Sequence, residues 1–222
     1  MTKRQQLRGG IYLLLSMFLL PTLFPYCVCL LLPDIDDTTL NFLYFSTNFL
    51  CVVGILWKFL RASLEQLGQR PVRLFVSVFL GLMSYFTLNY FVSVLIFQLR
   101  PDFFNVNDSS IAALAQQNYT LMAAGAVLLV PLVEECLYRG VVFSIFSRKS
   151  IVLAYAVSTL LFSMVHILSY IGYYDAITLL LCALQYIPAG ICLAWTYQKA
   201  DNIFAPILVH AIINAIGIIS VR

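Results

Sequence analysis

The chain has 222 residues, of which 62% are apolar and 10% are charged, and its mean hydropathy is +0.92. Because soluble domains of this size carry about 25% charged residues, the composition excludes an ordinary soluble domain and indicates a membrane protein. Because charged residues are few and the mean hydropathy is high, most of the surface of the chain is expected to face the lipid bilayer. The net charge of +3 is too small to indicate a nucleic-acid partner.

Seven apolar segments are long enough to span a membrane as helices, since a spanning helix needs about 20 apolar residues. In chain order they are residues 11–32, 41–57, 74–99, 119–146, 151–170, 176–198 and 202–219. Polar loops connect these segments, and the loop between the third and fourth segments holds Asp108. The sequence therefore predicts an all-α fold, a polytopic membrane helical bundle with about seven transmembrane helices.

The basic residues between these segments predict the orientation of the bundle, because Lys and Arg are enriched in cytoplasmic loops. With a cytoplasmic N-terminus, the outer connections hold Arg100 and Arg222, and Arg139 lies within a span. The inner connections hold the remaining basic residues, which are Lys3, Arg4, Arg8, Lys58, Arg61, Arg70, Arg73, Arg148, Lys149 and Lys199. This asymmetry supports seven spans with the N-terminus in the cytoplasm.

Five ionisable residues fall inside predicted spans, and they include both histidines of the chain: Glu134, Glu135, Arg139, His166 and His210. Placing a charged side chain at the centre of a membrane helix costs about 2.5–3.5 kcal/mol on insertion scales. Residues that carry this cost usually serve a function, so the five residues are candidates for a site inside the bundle.

Helical spacing divides the roles of the two glutamates. Glu135 and Arg139 are four residues apart and share a face of the helix, so they are expected to form an ion pair. Glu134 is rotated by about 100° from Glu135, and its own neighbour four residues on is Tyr138. Glu134 is therefore left without an assigned partner and is the candidate general base.

Two prolines precede these polar residues within predicted spans. Pro131 lies three residues before Glu134, and Pro206 lies four residues before His210. A proline inside a helix frees a carbonyl group and bends the axis, which a membrane tolerates where protein or water satisfies that group. The two kinks predict a wet internal cavity, although prolines are also frequent in membrane helices that contain no site.

Three ordered motifs resemble the CPBP family, the CAAX proteases and bacteriocin-processing enzymes also called the Abi family. The motifs are "EECLYR" at residues 134–139, "FSMVH" at 162–166 and "HAIIN" at 210–214, on successive predicted spans. The resemblance covers about residues 119–219, and nothing earlier matches. We therefore expect two regions, N-terminal transmembrane helices over residues 1–118 and a CPBP-like catalytic helical core over 119–222.

The resemblance implies an intramembrane endopeptidase and assigns roles to the motif residues. Glu134 would activate the attacking water, and His166 would position that water or polarise the carbonyl group. His210 and Asn214 would stabilise the oxyanion or complete the polar pocket. Structural support of the site would come from three further residues, namely Glu135, Arg139 and Phe162.

The resemblance leaves the metal requirement open, because the family has been described both as glutamic and as metallopeptidases. Zinc would take three nitrogen or oxygen ligands and keep an open position, which Glu134, His166 and His210 could supply. The sequence contains no H-E-x-x-H, however, and using Glu134 as a ligand would remove the obvious base. The sequence favours a site without an obligatory metal, with zinc as the alternative.

The expected substrate is a membrane-associated peptide or protein, and the expected location is the plasma membrane of a bacterium, as a multi-pass protein. In small bacterial members, the resemblance points to peptide maturation or self-immunity against bacteriocins. The alternative function is a non-catalytic membrane immunity or regulatory protein that binds a bacteriocin or a sensor kinase. A small proton-coupled transporter is disfavoured, because the sequence shows no inverted repeat.

Overall fold

The computed structural model describes residues 1–220, and within this range the secondary structure is helical, with a single isolated β-bridge and no strand. The predicted all-α helical bundle is confirmed. Arg222, assigned to an outer connection, and the end of the predicted region 119–222 lie outside the described residues.

Nine helices form the bundle over the described range. They are α1 (Lys3–Phe18), α2 (Leu20–Leu31), α3 (Asp37–Glu65), α4 (Pro71–Leu99), α5 (Val106–Gln117), α6 (Tyr119–Phe146), α7 (Ile151–Val165), α8 (Ala176–Ala200) and α9 (Phe204–Ser220). Short 3₁₀ turns at Leu67–Gln69 and Leu168–Tyr170 follow α3 and α7. Helix α8 packs against both α4 and α7, and α9 packs against α4, α6 and α8.

The seven predicted spans all contain helix, but the count of seven is not confirmed. Four helices, α3, α4, α6 and α8, are long and apolar enough to cross a membrane, and the bent pair α1–α2 raises this number to five. Helices α7 and α9 have 15 and 17 residues, at or below the range of about 17–25 residues that spans a bilayer. The cytoplasmic N-terminus stays a prediction.

The first predicted span, residues 11–32, is not one straight helix. Helix α1 already begins at Lys3, and its axis meets that of α2 at 66° at Leu19. Pro21 lies in the first turn of α2 and Pro25 lies inside it. Since proline lacks an N–H and its ring clashes with the preceding turn, α1 cannot continue straight through this sequence.

Helix α1 packs on the part of α6 that carries the first motif. A Cβ atom on Gly9 would lie 2.6 Å from Cγ2 of Val141, so only glycine permits this close approach. The Gln6 amide also donates a hydrogen bond of 3.0 Å to the hydroxyl of Ser144. The N-terminal region therefore supports the motif-bearing helix directly.

Helix α6 departs from regular α-helical geometry on both sides of the two glutamates. Gly125–Leu129 and Cys136–Phe143 are π-helical, and a short α-helical segment, Val130–Glu135, lies between them. Wider turns of this kind are rare and are frequently found at functional sites. The irregular helix agrees with the distortion predicted around Pro131.

The second predicted kink, at Pro206, is wrong. Helix α9 begins at Phe204, so Pro206 lies in the first turn, where the backbone N–H groups have no partner within the helix. The missing N–H of Pro206 therefore breaks no hydrogen bond of the helix.

Asp108 does not lie in a loop, because the connection between α4 and α6 forms the additional helix α5. Asn105 caps this helix: its side-chain oxygen accepts hydrogen bonds from the backbone N–H groups of Asn107 and Asp108, at 3.0 and 3.3 Å. The polar segment was predicted as a connection because it lacks an apolar run, whereas its helix is set by this cap.

Candidate active site

A fully buried ion pair stands at the centre of the candidate site. Nη1 of Arg139 lies 2.9 Å from Oε1 of Glu135, and both side chains have no exposed surface. Nη2 of Arg139 donates to the carbonyl oxygen of Gly190 at 3.0 Å, and the guanidinium carbon lies 4.5 Å from the ring centre of Phe162. The predicted pair of Glu135 and Arg139 is confirmed, and it joins α6 to α7 and α8.

His210 on α9 extends this pair into a network. Its Nδ1 lies 2.9 Å from Oε1 of Glu135. A carboxylate only accepts hydrogen bonds, so Nδ1 carries the hydrogen, and in the neutral ring Nε2 is left with a lone pair. Nε2 lies 3.9 Å from Oε2 of Glu134, which is too far for a direct hydrogen bond. Glu135 therefore fixes the ring of His210 with Nε2 towards Glu134.

Glu134 has the properties predicted for an acid without a partner. Its side chain is 18% exposed, so it is neither sealed off nor on the surface. Oε2 is buried and makes no hydrogen bond within the described chain. Because buried polar atoms are nearly always satisfied, this oxygen is a candidate to bind a substrate group or a reacting water.

His166 follows the last turn of α7, as the residue that caps this helix. Its Nδ1 lies 2.7 Å from the carbonyl oxygen of Phe162, so Nδ1 carries the hydrogen and Nε2 makes no hydrogen bond in the described residues. The ring of Phe162 packs between the two histidines, with centroid distances of 4.9 Å to His166 and 5.7 Å to His210. No hydrogen bond joins His166 to Glu134 over residues 1–220.

Asn214 lies one turn beyond His210 and contacts the irregular part of α6. Its Nδ2 donates a hydrogen bond of 2.8 Å to the carbonyl oxygen of Ala126. Val130 already donates to Gly125 in the π-helical register, so the next donor in that register would be residue 131. That residue is proline and has no N–H. Asn214 therefore replaces a hydrogen bond that the helix itself cannot make.

The described residues do not supply a complete metal site. No group of three or more His, Cys, Asp or Glu side chains within residues 1–220 is placed to hold a metal ion. Glu134 and His210 approach each other, but His166 does not complete the set. The zinc ligand set predicted as an alternative, Glu134, His166 and His210, falls short of the three protein ligands that zinc enzymes use.

The structure adds residues that the motifs did not reveal. The ring of Tyr186 on α8 is stacked on His166, with centroids 4.0 Å apart and an angle of 22° between the planes. The hydroxyl of Tyr186 donates to Oδ1 of Asp108 at 2.7 Å. The sequence signal was weak: Gln185 and Tyr186 interrupt an apolar run, and Asp108 belongs to a distant polar segment.

The fold and the site define a polytopic helical membrane protein with an ionisable network inside the bundle. Residues 116–216 match the family model described as Type II CAAX prenyl endopeptidase Rce1-like. The similarity to this membrane-protease family confirms the predicted resemblance over this part of the chain.

A curated bacterial protein is also similar to the chain. The chain is 27% identical over 136 residues to UPF0177 protein YxdF of Lactococcus lactis subsp. lactis (strain IL1403), across 60% of this chain and 70% of the relative. No solved structure matches the chain. The matched family region includes all three motifs, whereas the division of the chain at residue 118 stays a prediction.

Proposed function

We propose that this protein is an intramembrane endopeptidase that hydrolyses a peptide bond in a membrane-associated peptide or protein. The observation that carries the proposal is the partner-free Oε2 of Glu134, 3.9 Å from Nε2 of His210. One water molecule can bridge atoms at this separation in a bent arrangement, because each hydrogen bond to the water measures about 2.8 Å. The pair is therefore suited to hold and deprotonate a water.

In the proposed reaction, Glu134 is the general base and the water is the nucleophile. The water gives one proton to Glu134 while its oxygen bonds to the carbonyl carbon of the substrate, and the carbonyl electron pair moves to the oxygen. The C–N bond of the tetrahedral intermediate then breaks, and Glu134 returns the proton to the leaving amine. The products are a carboxylic acid and an amine, which become a carboxylate and an ammonium group by proton exchange.

The buried pair keeps His210 in the form that orients the water. Because Arg139 compensates the charge of Glu135, the carboxylate remains an acceptor for Nδ1–H of His210. Nε2 then accepts the second hydrogen of the water, so that a lone pair of the water oxygen faces the substrate. The geometry favours His210 over His166 for this task.

His166 and Asn214 are assigned to the carbonyl oxygen of the substrate. Nε2 of His166 has no partner, and in the protonated ring it donates to the developing oxyanion. One N–H of the Asn214 amide is used by Ala126, which leaves its second N–H for the same oxygen. Removal of one oxyanion donor commonly costs about 10²–10³ in kcat.

We assign no step to zinc, because the side chains near Glu134 do not form a three-ligand set. We propose that the protein resides in the plasma membrane of a bacterium, where its substrates are peptides undergoing maturation or bacteriocins in self-immunity. The bacterial relative supports a bacterial source, and the family match supports a membrane protease acting on a peptide or protein.

The test uses the full chain purified in detergent and two fluorogenic peptides, a farnesylated CAAX-type peptide and its unprenylated twin. We expect the wild type to cleave at least one of them and Glu134→Gln to lose activity by about 10²-fold or more. Glu65→Gln is the matched control, since this glutamate is 63% exposed and pairs only with Arg61. It should cleave like the wild type, and a chelator should change neither rate.

Three results would contradict parts of this proposal. Full activity of Glu134→Gln would show that the assigned base is wrong. Loss of wild-type activity on chelation, with recovery on adding zinc, would show that the site requires the metal. Absence of cleavage together with a wild-type immunity phenotype in Glu134→Gln would favour the non-catalytic membrane immunity or regulatory protein.

A further inference from the structure

The ring of Tyr186 is stacked on the ring of His166. The centroids lie 4.0 Å apart and the planes differ by 22°, whereas the other ring pairs of the described chain meet edge-on or tilted. Edge-on and offset pairs dominate ordinary packing because of the ring quadrupole. A stack with centroids 4.0 Å apart is close enough to restrict the orientation of the histidine ring.

The phenol ring of Tyr186 is itself held at its far end by helix α5. Its hydroxyl donates to Oδ1 of Asp108 at 2.7 Å and accepts from Nδ2 of Asn107 at 3.0 Å. Asn105, which caps α5, binds the neighbouring Gln185 at 2.9 Å through its amide. Oδ1 of Asn105 is a second acceptor at 3.3 Å, but the single hydrogen of the hydroxyl is directed to the shorter, charged contact with Asp108.

Three contacts hold the ring of His166, namely the hydrogen bond made by Nδ1, the ring of Phe162 and the stack on Tyr186. The hydrogen bond from Nδ1 to the carbonyl oxygen of Phe162 fixes one edge, but it leaves the ring free to tilt about that bond. The stack on Tyr186 restricts this tilt. Together they leave Nε2 as the free atom in a defined direction.

We propose that Tyr186 is a positioning residue that holds the plane of His166, with Asp108 and Asn107 of α5 anchoring its hydroxyl. An effect of Tyr186 on catalysis rests on the proposed function, in which His166 binds the carbonyl oxygen of the substrate. The positioning itself does not depend on that assignment. It can be measured on the resting protein.

The test is carbethoxylation of histidine in the full-length protein by diethyl pyrocarbonate, quantified by peptide mass spectrometry. The chain has two histidines, so buried His210 serves as an internal reference for His166. We expect Tyr186→Leu to raise the His166-to-His210 rate ratio about 2- to 10-fold, the range that corresponds to one aromatic pair. Tyr186→Phe keeps the ring and loses the hydroxyl anchor, so its ratio should lie closer to the wild type than to Tyr186→Leu.

Tyr197→Leu is the matched control, because Tyr197 lies on the same helix and is also half-buried but packs against Phe143. It should leave the ratio unchanged. Tyr186→Met, which fills the space without a ring, replaces the leucine variant if that variant elutes as aggregate. Equal ratios for the Tyr186 and Tyr197 variants would overturn the proposal, as would a phenylalanine variant that behaves like the leucine variant.

Peptide cleavage separates this proposal from the protease assignment. With the fluorogenic peptide that the wild type cleaves, Tyr186→Leu should lower kcat about tenfold with little change in KM, and Tyr186→Phe should restore most of it. A raised KM with unchanged kcat would mean that Tyr186 binds substrate and does not position His166. If Glu134→Gln remained active, the protease mechanism would fail while the carbethoxylation ratios still decided the role of Tyr186.

Discussion

Replacing Arg139 by methionine tests how far the site depends on charge compensation in a buried position. The change leaves Glu135 with no exposed surface and without its cation, while the hydrogen bond from His210 remains. Breaking a buried pair from one side costs about 3–5 kcal/mol. Since His210 still donates a hydrogen bond to Glu135, we expect the free energy of unfolding to fall by about 3 kcal/mol, at the lower end of this range.

The same chain offers a control pair with the same spacing and distance. Arg61 and Glu65 are also four residues apart, with their charged atoms 2.9 Å apart, but their side chains are 68% and 63% exposed. Exposed pairs of this kind contribute about 0.3–0.5 kcal/mol. Arg61→Met should therefore cost several times less than Arg139→Met, with burial as the main difference.

Thermal unfolding of the purified protein in detergent measures both variants. At about 2–4 °C per kcal/mol for a chain of this size, Arg139→Met should lower Tm by about 6–12 °C and Arg61→Met by less than about 2 °C. Adding Glu135→Gln to Arg139→Met removes the uncompensated charge and keeps an acceptor for His210. The double variant should recover about 2 kcal/mol of the loss. Equal Tm losses for the two arginine variants, or no recovery in the double variant, would refute the reasoning.

Three further predictions concern the supports of the site and are measured as shifts in Tm. Asn214→Leu should lower the free energy of unfolding by about 1–3 kcal/mol, because the carbonyl oxygen of Ala126 loses its hydrogen-bond donor. In a Pro131→Ala background the helix regains an N–H donor, so the loss should be smaller. Equal losses in both backgrounds would contradict the assigned hydrogen bond. Gly190→Ala should lower the free energy of unfolding by about 1–3 kcal/mol, since its Cβ would lie 3.1 Å from the backbone Cα of Thr159. Gly54→Ala is the control: no atom lies within 4 Å of its Cβ, so it should be neutral or stabilising by up to about 1 kcal/mol. Similar effects at the two glycines would contradict the close packing of α7 and α8. The side-chain and backbone hydrogen bonds of Thr178, with Arg100, hold the pKa of Asp175 below its ordinary value, so the stability that its cap gives α8 should be present above about pH 4 and be lost as the pH falls through the lowered pKa. Asp175→Asn should abolish this part of the pH dependence, and an unchanged profile would show that another group causes it.

The sequence predicted the ion pair within the motif but not the wider network. Glu135 and Arg139 are close in the chain, and their spacing of four residues survives even where α6 becomes π-helical. The contact between His210 and Glu135 joins residues 75 positions apart and depends on how α9 packs against α6. Helical spacing predicts contacts only between residues a few positions apart, so the sequence did not predict that His210 contacts Glu135.

Local sequence also failed where packing decides the shape of a helix. Proline at position 131 indicated a distortion, but the acceptor that it frees and the donor from Asn214 became apparent only in the fold. Pro206 carried the same signal without the same consequence, because α9 begins two residues earlier. The meaning of a proline depends on where its helix starts, which is set by neighbours outside the local sequence.

Composition and motif order determined the class of this protein, an all-helical membrane bundle with a protease-like set of ionisable residues. Both conclusions depend on local physical rules: a charged residue in an apolar segment is costly, and the spacing of residues along a helix is fixed. The tertiary structure alone decided which atoms meet, including the orientation of His210, the unpaired oxygen of Glu134 and the stack of Tyr186 on His166. Those contacts join helices that are distant in the chain, and the packing of whole helices sets them.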